Sequence, residues 1–434
     1  MSAPTVAVRM YNVGFGDCFL VSVTDDDAAW RMLVDCGVHP HGRARPLQDV
    51  VDAVIADLDE ATAPGTPPAL DVIVATHHHA DHISGFASPS WERVEVGEVW
   101  VPYVENPDDP DAAALRQRLT LAAEHVARAS ERLARSGGTS RQGVHLELAR
   151  VLAMNSFTNR DAAARLLCRG KRFLNEPKVR FLPYTKRPKN TIDTGIPDVR
   201  VHVLGPSRDP ALLKRMNPPA ASRWLALEAA LDAHPDDDDD DWLRPPRLFE
   251  AQFDIDPDDA AERIDPDLYA AWRSLKLDQS ITDVDEVLGA ASVLERSVNN
   301  TSLFFVLDVA GTRLVFVGDS QQGAWEHVLH DPGARALVSE PAFYKIGHHG
   351  SHNATPREFA EQVIGRAGTY AMLPYGEVER WGDIPKRELI ERLELEGVTI
   401  VDASHPVARD DVEVGPDGLW TEVRFSAERR ATAS

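Results

Sequence analysis

The residues of this chain with the densest potential for chemistry form the run His77-His78-His79-Ala80-Asp81-His82. The run directly follows Leu70 to Ala75, an apolar segment with the length and residue types of a buried strand. Imidazole nitrogens and carboxylate oxygens are common protein ligands of divalent transition metals. Such a group at the end of a strand therefore predicts a metal site rather than a histidine-rich surface loop.

The spacing within the run divides its ligands into two sets. Alternate residues of an extended loop point the same way, so His77 and His79 are expected to bind one ion. Asp81 and His82 are then expected to bind a second ion, with His78 as a spacer. We therefore expect two divalent metal ions, with zinc as the expected metal and manganese as the alternative.

The order His-x-His-x-Asp-His resembles the signature of the metallo-β-lactamase superfamily. Val317-Gly318-Asp319 ends a strand-like run and resembles the Gly-Asp element whose carboxylate bridges two ions in that family. The segment Lys345 to Ser351 ends another such run and resembles the family's last histidine element. The resemblance implies metal ligands at Asp319 and at His348 or His349. We favour His349, because its place ahead of a Gly-Ser pair resembles the ligand histidine of RNase Z-like enzymes.

Two further segments narrow the resemblance. The runs Asn12 to Asp17 and Leu33 to Gly37 are similar to those of the metallo-β-lactamase domain of the competence protein ComEC and its soluble relatives. The resemblance covers both halves of the chain but neither of the two divergent stretches between them. It implies a hydrolase that uses a metal-activated hydroxide, with its active site at the ends of the strands.

One segment departs from the hydrolytic members of that family. In enzymes of the glyoxalase II type, a histidine ahead of the strand leading to the bridging aspartate supplies the third ligand of the first ion. Here that place reads Ser297-Val298-Asn299-Asn300-Thr301-Ser302, and an amide oxygen is a poor zinc ligand compared with imidazole. The first site is expected to bind more weakly, to prefer a harder ion, or to recruit another histidine. Asn300 is also a candidate substrate-binding residue. The histidines that could be recruited are His125, His145, His202, His352 and His405.

Catalysis in such a site is expected to come from water activated by the metals. A water held between two cations has its pKa lowered to about 7, which gives hydroxide at neutral pH. Asp81 is expected to orient that water as well as to hold the second ion. His352 lies three residues after His349 and is expected to face the site as a ligand or as a donor to substrate. Lys345 is expected to bind substrate and meet its developing negative charge.

A basic segment, Arg165 to Lys189, bears on the choice of substrate. It holds nine basic residues against one acid, interleaved with Phe173, Phe181 and Tyr184. This mixture is suited to contacting phosphates while stacking on bases, and it makes three of its cations candidate substrate-binding residues. The alternative is a solvated basic surface that pairs with acidic residues elsewhere in the chain. The three candidates are Arg169, Lys171 and Arg172.

Three functions remain open on the sequence alone. The preferred one is hydrolysis of a phosphodiester in nucleic acid or in a nucleotide-like molecule, so the expected partner is a phosphate-containing substrate. The second is hydrolysis of a small carboxylic or phosphocholine-type ester. The third is a weakly catalytic metal-binding scaffold within a bacterial assembly. The superfamily's fold does not choose among them, because the same fold carries many chemistries.

The composition is that of a soluble globular protein. Of 434 residues, 43% are hydrophobic and 26% charged, with a net charge of −23, and no apolar run approaches the about 20 residues of a membrane span. The segment Met1 to Thr5 has neither a basic start nor an apolar stretch, so no secretory signal is expected. The three cysteines form no close pair in the sequence. A cytoplasmic protein without membrane contact is therefore expected, and its oligomeric state is left open.

The apolar pattern predicts an α/β fold. Strand-like runs alternate with helix-like ones, such as Leu47 to Leu58, whose apolar residues have helical spacing. The resemblance refines this to a metallo-β-lactamase αββα sandwich with two large, mainly helical or irregular insertions. The expected divisions are 1–105 for the first half of the fold, 106–196 for a helical and basic insertion, 197–205 for a strand of the core, 206–296 for a second, acidic insertion, and 297–434 for the second half.

Overall fold

A computed structural model of the protein describes residues 3–26, 28–40, 42–135, 159–185, 187–213, 215, 298–351, 353–365, 368–376 and 384–427, with the backbone alone for 117–125, 187 and 188. The chain forms two compact units. The first comprises Met1–Ala112, Phe157–Ala226 and Ser297–Ser434, and the second comprises Ala113–Ser156 and Leu227–Arg296. All the sheets and the candidate site described below belong to the first unit.

The first sheet of this unit has eight strands in the order β14-β15-β1-β2-β3-β4-β5-β6. Strands β14 to β3 pair antiparallel, whereas β3, β4, β5 and β6 run parallel to one another. The parallel half thus brings several carboxyl ends to one edge of the sheet. The strands are β1 Thr5–Tyr11, β2 Cys18–Asp25, β3 Ala28–Cys36, β4 Ala69–Val74, β5 Glu95–Pro102, β6 Lys178–Leu182, β14 Val412–Val414 and β15 Trp420–Ser426.

The second sheet has seven strands in the order β13-β12-β11-β10-β9-β8-β7. Strands β7 to β10 pair antiparallel, and β10 to β13 pair parallel. This sheet therefore repeats the arrangement of the first, with one antiparallel and one parallel half. Its strands are β7 Thr191–Asp193, β8 Val199–Gly205, β9 Phe304–Val309, β10 Thr312–Phe316, β11 Phe343–Lys345, β12 Tyr370–Leu373 and β13 Thr399–Asp402.

Eight α-helices lie between the strands in the described residues, together with shorter 3-10 turns. None of the described helices is both long enough and apolar enough to cross a membrane. The helices are α1 Leu47–Glu60, α2 Ala80–Ile83, α3 Pro110–Arg135, α4 Arg160–Leu166, α5 Pro210–Leu213, α6 Gln322–His330, α7 Pro332–Val338 and α8 Arg387–Leu395.

The core lies between the two sheets and on their outer faces. Strand β1 alternates, with Val6 and Val8 fully buried in a central cluster that also takes Leu307 and Leu314 from the second sheet. Helix α1 buries its apolar stripe on the outer face of the first sheet, while Trp325 of α6 is buried on the outer face of the second. Helix, sheet, sheet and helix therefore follow one another in layers, and the expected α/β class is confirmed.

The segment 106–196 contains more sheet than the sequence suggested. Strand β6 pairs with β5, and β7 pairs with β8, so both belong to the two sheets rather than to a helical insertion. The run Lys178-Val179-Arg180-Phe181-Leu182 does alternate, but its cations were interpreted as a substrate-binding surface. The second, acidic insertion expected at 206–296, which includes the run Asp236 to Asp241, lies outside the described residues except for 206–213 and 215.

Candidate metal centre

The histidine run lies where the parallel half of the first sheet ends. Strand β4 ends at Val74, and the chain then turns through the three histidines into the short helix α2. In α/β proteins, ligands bind outside the carboxyl ends of parallel strands. His77, His79, Asp81 and His82 are each at most 6% exposed, so this run is not a solvated loop.

His77 and His79 form the first pair. Nδ1 of His77 lies 3.2 Å from the hydroxyls of both Thr76 and Ser302, and the Thr76 hydroxyl donates to Asp35 at 2.7 Å. Nε2 of His77 lies 3.0 Å from Nδ1 of His79, at hydrogen-bond distance, while Nε2 of His79 is buried without a hydrogen-bond partner. Two nitrogens on one tetrahedral zinc lie about 3.3 Å apart, so the pair has the spacing of two ligands of one ion.

A second group joins residues from both sheets. Asp81, His82, Asp319 and His349 each bring one ligand atom within 4.8 Å of the others, and all four residues are buried. Nε2 of His82 lies 3.2 Å from Oδ2 of Asp319, and Nε2 of His349 lies 3.3 Å from Oδ2 of Asp81. The group has the residue types and closeness that could hold a metal ion.

The position of Asp319 depends on a glycine. Gly318 has φ of +53°, and a Cβ there would lie 2.8 Å from that of Ser302 and 2.9 Å from that of Thr76. Only glycine lets the ends of β4 and β10 approach this closely. The backbone N–H of Asp319 then donates to the Ser302 hydroxyl at 3.1 Å, which fixes the carboxylate beside the histidine run.

The two adjacent histidines after β11 have different surroundings. His348 and His349 both have left-handed backbones, with φ of 43° and 53°. His349 packs against the Phe15 ring, and its Nδ1 donates to the Pro374 carbonyl at 2.6 Å, so Nε2 is free to face Asp81. His348 instead has Nε2 3.2 Å from the amide nitrogen of Asn299. The structure thus brings His349, not His348, into the buried group.

Two carboxylates that the sequence had not singled out lie behind the ligands. Asp35, at the end of β3, accepts from the Thr76 backbone N–H at 2.7 Å and from Nδ1 of His82 at 2.8 Å. Asp17 lies 2.5 Å from Nζ of Lys345 and 3.6 Å from Nδ1 of His82. Both occur within motifs quoted for the family resemblance, and the signal that marks them is an acidic residue beside a buried apolar strand.

The protonation states follow from burial and from neighbouring charges. Burial lowers the pKa of His77 well below its usual value and that of His79 to about 3, so both imidazoles are neutral. Burial raises the pKa of Asp319, but His82 and Lys345 outweigh it and bring that pKa well below its usual value. A neutral imidazole and an ionised carboxylate are the forms that bind a metal, so His77, His79 and Asp319 are already in these forms. Burial lowers the pKa of His82 and of His349, but the nearby carboxylates outweigh it and raise both, so these two imidazoles would release a proton when a cation binds.

Unpartnered atoms provide a test of whether a metal fits. Oδ1 of Asp81 and Nε2 of His82 are buried and have no hydrogen-bond partner. A buried polar atom left in this state costs about 1–3 kcal/mol. A divalent cation among these side chains would satisfy such atoms, and the mixture of imidazole and carboxylate suits zinc and also manganese.

The two predicted substrate-binding residues Asn300 and Lys345 are buried and contact other groups of the protein. The Asn300 amide donates to the backbone oxygens of Leu213 and Arg215 at 3.1 and 2.8 Å and accepts from the Gln321 N–H at 3.0 Å. The side chain of Lys345 is buried. Neither side chain is placed to contact a substrate.

Of the histidines proposed as recruits, the two whose side chains the structure describes do not join the group. His202 on β8 lies beside Thr191 at 3.2 Å, and the mainly exposed His405 lies 3.2 Å from Asp402. His352, the predicted second catalytic residue, lies outside the described residues, as do His145 and the side chain of His125.

The basic segment divides into paired and exposed cations. Arg165 is buried, and its Nε donates to the Phe86 carbonyl at 2.9 Å. Lys171 pairs with Asp161 at 2.9 Å, and Arg180 pairs with Glu98 through two nitrogens. Arg169 and Arg172 are exposed. Several of these cations thus pair within the protein.

The part of this segment closest to the histidines is apolar. A small cleft beside His77 and His78 is lined by Ala163, Leu166 and Leu167 of α4 and the turn after it. Asn159 connects the two regions by donating its amide to the His78 carbonyl at 3.0 Å. The surface next to the metal centre is therefore mainly apolar. The cations of the basic segment lie further along the chain.

No family model matches the sequence, and no curated protein matches it. The residues and their geometry therefore carry the functional argument.

Proposed function

We propose that the protein is a metal-dependent hydrolase of the metallo-β-lactamase superfamily, similar to the ComEC-like domain. The observation that carries this proposal is the meeting of Asp81, His82, Asp319 and His349 in one buried group, beside the His77–His79 pair. The layered arrangement of two mixed sheets is compatible with that fold. The chemistry of the ligands, rather than the fold, supports hydrolysis.

The ligands divide between two cation positions. His77 and His79 would hold one ion, and Asp81, His82 and His349 a second, with Asp319 close to both sets. When bound, divalent ions in such a site supply Lewis acidity and lower the pKa of water. Zinc suits the imidazole-rich donor set, with manganese as the alternative.

Asp81 has a role beyond holding an ion. Its Oδ2 faces His349, while its Oδ1 is buried and unpartnered. The surrounding histidines overcome the effect of burial and lower the pKa of Asp81, so Oδ1 stays an ionised acceptor. With one oxygen of this carboxylate on an ion, the other would remain to accept a hydrogen bond from the attacking water and orient it.

We favour a phosphodiester as the substrate, in nucleic acid or a nucleotide-like molecule. The exposed cations Arg169 and Arg172 follow helix α4, and Asn159 just ahead of that helix contacts the His78 carbonyl. Two exposed guanidinium groups in this part of the chain are available to bind a phosphate. The test is turnover of bis(p-nitrophenyl) phosphate by metal-free protein after adding zinc or manganese. Turnover that needs the metal and disappears in Asp319→Ala supports the proposal, whereas metal-loaded protein that never cleaves this substrate opposes it.

A small carboxylic or phosphocholine-type ester is the second candidate. The apolar cleft beside His77 and His78 favours it, because a small uncharged group fits such a lining better than a phosphate does. Measuring p-nitrophenyl acetate and bis(p-nitrophenyl) phosphate turnover under the same metal conditions separates the two.

A further inference from the structure

A lysine ammonium lies within the buried site. Lys345 is 2% exposed, and its Nζ lies 2.5 Å from Oδ2 of Asp17, 2.9 Å from the Gly318 carbonyl and 3.4 Å from Oδ1 of Asp319. An ammonium has three N–H donors, and these three oxygens account for all of them. No donor remains for a substrate.

The buried ammonium is not isolated. Two of its three acceptors are the carboxylates of Asp17 and Asp319. A buried charge is costly unless it is paired and hydrogen-bonded, and both conditions are met here. Lys345 thus places a paired cation behind the ligand residues.

The contacts of Lys345 determine which oxygen of Asp319 is available. Oδ1 of Asp319 accepts from the backbone N–H of His348 at 3.1 Å and lies 3.4 Å from the ammonium. Oδ2 lies on the other side, 3.2 Å from Nε2 of His82. Protein donors therefore occupy one oxygen, and the other faces the ligand group.

The same lysine distinguishes two clusters that could each hold a cation. Besides the Asp81 group, Asp17, Asp35 and His82 bring ligand atoms within 4.8 Å of one another. In this second cluster the ammonium of Lys345 already lies on Asp17, and Nδ1 of His82 donates to Asp35. The carboxylates of this second cluster therefore already have a lysine and a histidine of the protein as partners, which leaves no free place for a metal cation.

We propose that Lys345 is a positioning residue that acts as a built-in cation, occupying Asp17 and turning Oδ2 of Asp319 toward the metal ligands. It thereby restricts metal binding to the group of Asp81, His82, Asp319 and His349. The inference rests on the proposed function in one respect, that this group binds a metal. It replaces the expectation that Lys345 contacts substrate.

The test is cobalt titration of full-length protein freed of metal by chelator, because cobalt absorption reports the number and type of ligands. In Lys345→Met, Asp17 and Oδ1 of Asp319 lose their ammonium partner, so the orientation of Oδ2 of Asp319 toward the ligand group is no longer fixed. We expect a changed visible spectrum and about a 10- to 100-fold loss of affinity, the usual cost of disturbing groups behind a ligand. The double variant Asp17→Asn with Lys345→Met removes both charges, so it avoids an unpaired buried carboxylate if the single variant does not fold.

Arg9→Met is the matched control. Arg9 forms a similar partly buried network with Asp57 at 2.5 Å and Glu422 at 2.7 Å, and neither partner is a ligand candidate. The control is expected to lose stability while keeping the wild-type cobalt spectrum and affinity.

The outcomes separate the inference from the proposed function. Wild-type affinity and spectrum in the double variant would overturn the role of Lys345 and leave the metal site standing. An altered spectrum in the double variant but not in Arg9→Met supports the role. Wild-type protein that takes up no cobalt would overturn the metal site itself, and the inference with it.

Discussion

Nδ1 of His82 donates a 2.8 Å hydrogen bond to Oδ2 of Asp35, and both side chains are fully buried. The bond fixes the imidazole so that Nε2 faces Asp319 and the ligand group. A carboxylate that holds the far nitrogen of a ligand histidine in this way also raises its basicity. Asp35 itself is fixed by the Thr76 backbone and hydroxyl, so β3 and β4 position the histidine together.

Asp35→Asn tests this contact directly. The amide is nearly the same size but removes the negative charge behind His82, so metal affinity is expected to fall by about 10- to 100-fold. The measurement is competition for zinc against a chelator of known affinity. Asp71→Asn, outside the ligand group and bonded to the Arg31 N–H, is the control and should bind zinc as the wild type does. Unchanged affinity in Asp35→Asn would show that the contact does not tune the ligand.

The purified protein is expected to contain one to two equivalents of a divalent transition metal. The two ligand sets, represented by His77 and Asp81, are the reason. Elemental analysis measures this directly, and chelation should abolish turnover. Protein with no metal and no uptake from added zinc or manganese would contradict the whole site.

Asp319→Ala and His79→Ala are expected to lose more than about 100-fold in turnover while remaining folded, because a ligand of a metal that carries the chemistry is removed. Both residues lie at strand ends outside the three apolar clusters. His405→Ala is the matched control, since that imidazole is mainly exposed and lies beside Asp402. Circular dichroism checks the fold, and turnover that survives in either ligand variant would refute the assignment.

Much of the fold was predictable because apolar alternation is a local signal. Strand β1 shows it plainly, since Val6 and Val8 are buried on one face. Strand β6 was not predicted, because alternate positions carry Lys178 and Arg180, which suggested a substrate-binding surface. Both side chains form ion pairs with Glu98 on β5. Such a contact between segments that are distant in the sequence cannot be predicted from the residue pattern of one segment.

For the site, the sequence pointed to ligands but not to what lies behind them. His77 to His82 are dense in the chain and were recognisable by type and spacing. The roles of Asp17 and Asp35 depend on strands that meet only in the folded protein. Lys345 shows the limit most clearly, because its chemistry suits a substrate phosphate while its burial commits it to Asp17.

The Arg180–Glu98 contact predicts a pH-dependent contribution to stability. Burial raises the pKa of Glu98, but the hydrogen bond from Arg180 outweighs it, so the pKa lies below its usual value. A carboxyl whose pKa is lowered by folding stabilises above its unfolded pKa, and that stability is lost as pH falls through the folded pKa. Because the pair is partly exposed, Glu98→Gln should cost only about 0.5–1 kcal/mol at pH 7.

The loss in Glu98→Gln should shrink toward zero below the folded pKa, where the wild-type carboxyl is also neutral. Urea unfolding at pH 7 and at the lowest pH at which the protein stays folded measures both values. Glu95→Gln, an exposed residue on the same strand, is the control and should change little at either pH. An equal loss at both pH values for Glu98→Gln would show that shape, not charge, carries the contact.

The two metal positions are expected to differ in affinity. In the sequence, Asn299 stands where the resemblance to glyoxalase II-type enzymes implies a third imidazole, and its side chain is buried with Oδ1 unpartnered. A neutral amide oxygen transfers less charge to zinc than an imidazole nitrogen, so the ion at His77 and His79 should be held more weakly. Titration of metal-free protein should show two phases, with the weaker lost in His77→Ala and the tighter in His82→Ala. If His77→Ala removed the tighter phase, another residue would have to complete the first position. His348 would then be the next to mutate, because its Nε2 lies 3.2 Å from the Asn299 amide.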